Sequence, residues 1–199
     1  MRLSRKGEYA LRTMINLGIA SEVKRPLVQV SELADYEQLP VKFLEHIMQL
    51  LKDAGLIASQ RGKFGGYRLA KPARQITIGE VVRLIDGPLA PIGCVSQSAY
   101  ERCTCPDEAH CGLRMLMLDV RNAISGILDR YTLADVVGVT VRKLKSDNRP
   151  LPFSAEADAA ASVPRLSARL ARKLAGASTP PRLTEADGVL HQLLGDYTI

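Results

Sequence analysis

The chain has 199 residues, 46% of them hydrophobic and 24% charged, with a net charge of +6 and no Trp. That length holds one sizeable domain, or one domain with an appendage, and no apolar run approaches the ~18 residues of a membrane span. No apolar leader is evident, so the cytoplasm is the expected compartment. The charge is uneven: residues 1–75 carry 13 Lys and Arg against 7 Asp and Glu, residues 76–144 carry 7 against 8, and residues 145–199 carry 7 against 6. An acidic partner such as nucleic acid should meet the N-terminal part first, the alternative being a plain solvated surface.

Leu11, Met14, Ile15, Gly18 and Ile19 recur at helical spacing. With Ser4 as N-cap they predict a helix from about Arg5 to Ser21. Arg5 and Lys6 stand at its start, where the helix dipole favours acids, so a bound phosphate would account for both; two solvated charges are the alternative. After Lys24-Arg25-Pro26, Ser31 is the expected N-cap of a short helix through Tyr36, and Glu37-Gln38-Leu39-Pro40 reads as a turn. Pro40 opens the next helix, whose stripe is Leu44, Ile47, Met48 and Leu51 and whose stop is Gly55. Lys42, Glu45, His46 and Gln49 lie off that stripe. A short helix, a tight turn and a longer second helix make a helix-turn-helix pattern, which many helical domains share.

The run from Leu56 to Leu69 places two β-like segments around the tip Arg61-Gly-Lys-Phe-Gly-Gly66, a hairpin with a basic end. A hairpin of this kind after a helix-turn-helix is a winged helix, with Arg61 and Lys63 reaching phosphate or minor-groove edges and the glycines permitting close approach. The expected fold class is therefore mainly α, a winged helix-turn-helix with a small β-hairpin wing. Thr77-Ile-Gly-Glu80 has capping-box form and predicts a helix to Asp86, stopped by Gly87-Pro88.

All four cysteines follow within one stretch, Cys94, Cys103, Cys105 and Cys111. Disulfides need an oxidising compartment. Structural zinc sites use two close pairs of ligands, whereas here the gaps hold eight, one and five residues. An iron–sulfur cluster, [2Fe–2S] or [4Fe–4S], accepts wider and irregular spacing and is the leading reading, with zinc and inert thiols beside it.

Leu116, Val120, Ile124, Ile127 and Tyr131 then predict a helix of nearly twenty residues from Leu113. A small winged domain offers no partner for its whole length, and pairing with a second copy would bury it. Thr132-Leu-Ala-Asp135 starts a last short helix or turn, and the pattern ends near Leu144. The expected organisation is a DNA-binding domain over 1–87, a cluster-binding loop over 88–112, a dimerisation helix with a following short helix over 113–144, and a flexible tail over 145–199. Short helices at Arg165–Ala175 and Val189–Leu194 are expected within that tail. With no phosphate-binding Gly loop, no nucleophile beside a base and His only at 46, 110 and 191, no enzyme activity is expected.

The opening Met1-Arg-Leu-Ser-Arg-Lys-Gly-Glu-Tyr-Ala-Leu11, Phe43-Leu-Glu45, Arg61-Gly-Lys-Phe-Gly-Gly-Tyr67 and Ile78-Gly-Glu-Val-Val82 together resemble the bacterial winged-helix iron–sulfur transcriptional regulator family of IscR, NsrR and RirA type. The resemblance covers about Met1 to Leu144. It implies a homodimer that binds a near-palindromic double-stranded DNA operator, with cluster state altering affinity or preference. It also implies Cys94, Cys105 and Cys111 as ligands, the last two with the family's five-residue gap. The loop is longer than the commonest pattern, Cys103 is extra, and Arg114 stands where some members place a ligating His. Glu8 of a partner subunit or Cys103 remains as fourth ligand, with His110 more remote. On the DNA side the resemblance puts Lys42, Phe43, Glu45 and His46 at the exposed start of the recognition helix and Arg61 at the wing.

Overall fold

A computed structural model describes residues 3–62 and 64–155. Its elements run α1 (Arg5–Glu22), α2 (Val30–Glu37), α3 (Val41–Asp53), β1 (Ile57–Gln60), β2 (Gly66–Leu69), α4 (Ile78–Asp86), α5 (Gly112–Arg130) and α6 (Leu133–Ser146). Single 3-10 turns occur at Ala73–Gln75 and Gly93–Val95. The mainly helical winged fold expected from the sequence is what forms. Lys63 and the helices expected at Arg165–Ala175 and Val189–Leu194 lie outside the described residues.

Ser4 caps α1 by accepting from the Gly7 N–H. For α2 the cap differs from expectation. Gln29, not Ser31, is the N-cap, because the Glu32 carboxylate reaches back to the Gln29 N–H at 2.8 Å and completes a capping box two residues earlier. At the end of α3 the Gly55 and Leu56 N–H groups return to Lys52 and Leu51 carbonyls at 2.9 and 3.0 Å, a Schellman close that needs the positive φ of Gly55. The chain then enters the hairpin, β1 antiparallel to β2 with Ser59 opposite Tyr67. Val28 adds a third edge, exchanging two backbone hydrogen bonds with Tyr67. Gly66 makes this possible, since a Cβ there would stand 2.7 Å from the Val28 carbonyl oxygen.

Met14, Leu17, Leu33, Leu44, Ile47, Met48, Leu51 and Leu56 are fully enclosed in the core under α1, α2, α3 and the wing. Each such side chain contributes roughly 1.5–3 kcal/mol by burial, so this face fixes the recognition helix against its scaffold. The segment after α5 is longer than expected. α6 has 14 residues, begins with a Thr132–Asp135 capping box and lies against α1. The Leu133 N–H donates to the Ile76 carbonyl at 2.8 Å and the Ile78 N–H to the Tyr131 carbonyl at 3.0 Å, clamping the chain between α5 and α6 to the entry of α4. Past α6, Phe153 is buried and packs on Tyr36, with ring centroids 5.4 Å apart, so the first part of the stretch expected as tail folds back onto α2. No described helix is long and apolar enough to cross a membrane.

Candidate nucleic-acid interface and cysteine loop

Two features hold the helix-turn-helix in shape. Gln38 takes a left-handed conformation, φ 55°, and the Leu39 N–H returns to the Ala34 carbonyl at 2.9 Å, turning the chain within three residues from α2 to Pro40. Behind this turn the Glu37 carboxylate is buried, with Arg12 paired to one oxygen and the Asn16 amide donating to the other. A buried carboxylate is tolerated only when so compensated. α1 therefore grips the turn through charge as well as through packing.

Pro40 is the N-cap of α3 and offers no side-chain cap, so at the positive end of the helix dipole the Phe43 N–H turns back to the Pro40 carbonyl at 3.0 Å and no side chain caps the first turn. Lys42 in that turn and Glu45 and His46 in the next are exposed. Lys6 Nζ lies 3.2 Å from His46 Nε2, so the start of α1 meets the start of the recognition helix. Neutral His46, protonated on Nδ1, can accept there. Arg5 is exposed beside Lys6. Phe43 is 36% exposed and stands edge-on to Tyr9, centroids 5.9 Å apart. It braces α3 on α1 while keeping an edge free. Arg61 is exposed at the wing tip next to Gly62. Phe64, passed over in the sequence, is 82% exposed in that tip. An aromatic between a basic residue and two glycines was the signal available.

The second candidate site is the loop before α5. Cys94 is buried, held by its 3-10 turn, and its carbonyl accepts from Arg114 Nε at 3.3 Å. Cys111 is the N-cap of α5. Between them the Cys105 N–H donates to Cys103 Sγ at 3.3 Å. The four thiols thus lie along one loop, and Cys103 and Cys105 are joined by that hydrogen bond. Donation from the Cys105 thiol and N–H holds the Cys103 thiol below its ordinary range, and the Cys105 thiol, as donor to Cys103, is pushed up to about 12. Burial raises Cys94. All four are free thiols. In kind they are a sulfur-rich donor set suited, once deprotonated, to soft metals. Among the described residues no three His, Cys, Asp or Glu side chains yet converge on one point as metal ligands. Glu8 is on the first turn of α1, its side chain paired with Arg12 at 3.5 Å. His110 is engaged by Asp107 at 2.7 Å.

The two sites are joined by α4. Its C-terminal Asp86 accepts from the Ser4 N–H at 2.9 Å and from the Ser4 hydroxyl, and a Cβ on Gly7 would stand 2.5 Å from that carboxylate. In the same last turn Arg83 clamps Asp129 of α5 with two hydrogen bonds, 2.7 and 2.6 Å. Gly79 makes room for the same Asp129, which a Cβ would approach to 2.1 Å. Two of the sequence stretches that carry the family resemblance thus owe their glycines to carboxylates on neighbouring helices.

α5 itself turns an apolar face outward. Leu113, Leu116, Val120 and Ile127 are exposed along one side, from 36% to 60%.

A family profile described as Rrf2, iron-dependent transcriptional regulator, matches residues 3–138. An rrf2-like HTH-type transcriptional regulator of Rhodobacter capsulatus is 40% identical over 151 residues, covering 73% of this chain and 99% of that protein. Among solved structures, the global cysteine regulator CymR of B. subtilis matches with a TM-score of 0.58 and 30% identity, over 69% of this chain and 97% of its own. The IscR of T. potens matches with a TM-score of 0.54 and 25% identity, over 69% and 87%. With its winged helix-turn-helix intact through this span, the chain belongs to the Rrf2 family and is a DNA-binding transcriptional regulator rather than an enzyme.

Proposed function

We propose that the protein acts as a homodimer on a near-palindromic operator, and that an iron–sulfur cluster held by the cysteine loop sets its affinity or sequence preference. The observation that carries the reading is the set of four free thiols in one loop from Cys94 to Cys111, mounted between α4 and the N-cap of α5. Cys94, Cys105 and Cys111 are the proposed ligands, and Cys103 or the partner subunit's Glu8 the fourth. Four thiolates would confine control to the loop, whereas a carboxylate from α1 would tie it to the DNA-binding domain and exchange more readily. When bound, the cluster supplies a redox-sensitive crosslink of the loop.

The DNA face is the start of α3 with Lys42, Phe43, Glu45 and His46, flanked by Arg5 and Lys6 and by the wing residues Arg61 and Lys63. Arg61 suits a phosphate or a base edge. Glu45 repels phosphate and serves as a discriminator, accepting from a cytosine amino group. Phe64 is an apolar wedge of the kind that enters a minor groove. The exposed face of α5 supports pairing with a second copy, which places two recognition helices on half-sites about one DNA turn apart.

The test is the iron and sulfide content and absorption spectrum of anaerobically prepared protein, wild type and with Cys103→Ala or Glu8→Ala, followed by operator binding of holo and apo forms. Equal affinity and preference in both forms refutes cluster control. A second reading, a regulator that holds no metal, is favoured by the lack of three converging donors among the described residues, a lack that counts against zinc as much as against a cluster. It requires a colourless protein under strict anaerobiosis that still binds its operator.

A further inference from the structure

Arg121 is the one residue of α5 that is buried in the described structure, and it is 9% exposed. Among the described residues it forms no ion pair, and its Nε, shut off from solvent, has no hydrogen-bond partner. A guanidinium cannot shed its proton, so a buried one normally has an anion beside it. The neighbouring cation makes matters worse rather than better: Arg83 lines the same niche, and its own carboxylate, Asp129, is engaged in the two-pronged pair. The niche is a cavity of about 80 Å³ between α4, the beginning of the cysteine loop and α5. Besides the two arginines it is lined by Ser96, Gln97, Ser98 and Ser125. A water occupies about 30 Å³ of liquid, so the space matches two or three waters or one tetrahedral oxyanion.

We propose that this cavity is a binding site for a small oxyanion of the phosphate or sulfate type, held by Arg121 with help from Arg83 and the serine hydroxyls. The donor set supports that chemistry. Guanidinium N–H groups present a fixed fork to oxyanions, and hydroxyls rotate to donate to whatever oxygen remains. No acidic side chain lines the cavity, so nothing there competes for the site. The outward apolar stripe of α5, Leu113 to Ile127, lies off the face that carries Arg121, which leaves the niche to a diffusing ligand rather than to a side chain of a second copy. A bound anion joins residues 96–98, just past Cys94, to α4 and α5. It would fasten the root of the cysteine loop whether or not the loop carries a metal.

Isothermal titration of the full-length dimer with inorganic phosphate, and separately with sulfate, at constant ionic strength set with chloride, tests this. One saturable site per chain is expected. Arg121→Gln should weaken binding by about tenfold or more, as loss of a charged hydrogen-bond donor does, and Arg121→Lys should retain part of it. Ser125→Ala, which leaves both arginines in place, should weaken it by a few-fold and keeps the test decisive if Arg121→Gln does not fold. Non-saturable heats in the wild type, or a folded Arg121→Gln that binds phosphate as the wild type does, overturns the proposal. So does a dimer that excludes phosphate because a carboxylate of the second copy already sits on Arg121.

Discussion

Arg83 and Asp129 hold α4 and α5 together by a two-pronged ion pair, 2.7 and 2.6 Å, across 46 residues of chain that include the whole cysteine loop. The partnership, more than burial, holds the Asp129 carboxyl below its ordinary range and raises Arg83. For a depressed carboxyl, the stability gained is present above the unfolded value of about 3.9 and disappears as pH falls through the lower folded value. Both side chains are more than a third exposed, 37% and 43%, so the pair is worth under about 1 kcal/mol. Asp129→Asn should therefore lower denaturant stability by roughly 0.5–1 kcal/mol at neutral pH, and the gap to wild type should close as pH falls below the ordinary carboxyl value of about 3.9. A gap that persists unchanged in acid would show that the ion pair is not its origin.

Two glycines should respond to the same substitution with opposite signs. Gly7→Ala drives a methyl into the Asp86 carboxylate and should cost about 1–3 kcal/mol, with the start of α1 displaced and operator affinity reduced. Gly138→Ala, in α6 with nothing within 4 Å of the added carbon, should stabilise by roughly 0.5–1 kcal/mol through helix propensity. Thermal melts of the two variants beside wild type decide it.

Much of this arrangement was legible in the chain. The Ser4 cap, the stripe of α3, the hairpin and the length of α5 are local or periodic features, and each formed within a residue or two of where the sequence put it. What stayed hidden depends on partners far along the chain. Ser31 looked the better cap for α2, yet Glu32 can serve Gln29, and the helix begins there. Thr77 caps α4 as expected, but Glu80 turns away to Lys71 at 2.9 Å rather than completing the box. α6 read as a short end piece because its use, lying on α1 where Gly18 admits Val137, is not written in its own residues. Of the candidate site, the spacing of the cysteines was plain, while the Cys105–Cys103 hydrogen bond and the Lys6–His46 contact were not.

At the wing, Arg61→Ala should weaken operator binding and reduce the slope of log affinity against log salt by about 1 if the side chain meets a phosphate. Loss of discrimination at one base pair, with the slope unchanged, would assign it to a base edge instead. Phe64→Ala should weaken binding with little change in salt dependence, because an apolar wedge releases no counterions. Fluorescence anisotropy at several salt concentrations separates the three outcomes.

The outward stripe of α5 predicts the oligomeric state. Leu116→Asp or Ile127→Glu should convert dimer to monomer in sedimentation velocity and abolish cooperative operator binding, while leaving helical content nearly intact, since both side chains are 56% exposed in the single chain. A variant that sediments like wild type would place the dimer contact elsewhere.

Cys111 occupies the first boundary of α5, and Arg130, where the chain turns back toward α1, occupies the last. Nineteen residues at 1.5 Å each make this a rigid rod of about 28 Å. A swing of only ~5° about one end displaces the other by roughly 2 Å over that length. Under the proposed cluster control the rod would serve as a lever arm: a small rearrangement among sulfur atoms would be magnified before it reached the opposite tip, and loop and reader would not have to touch to be geared together.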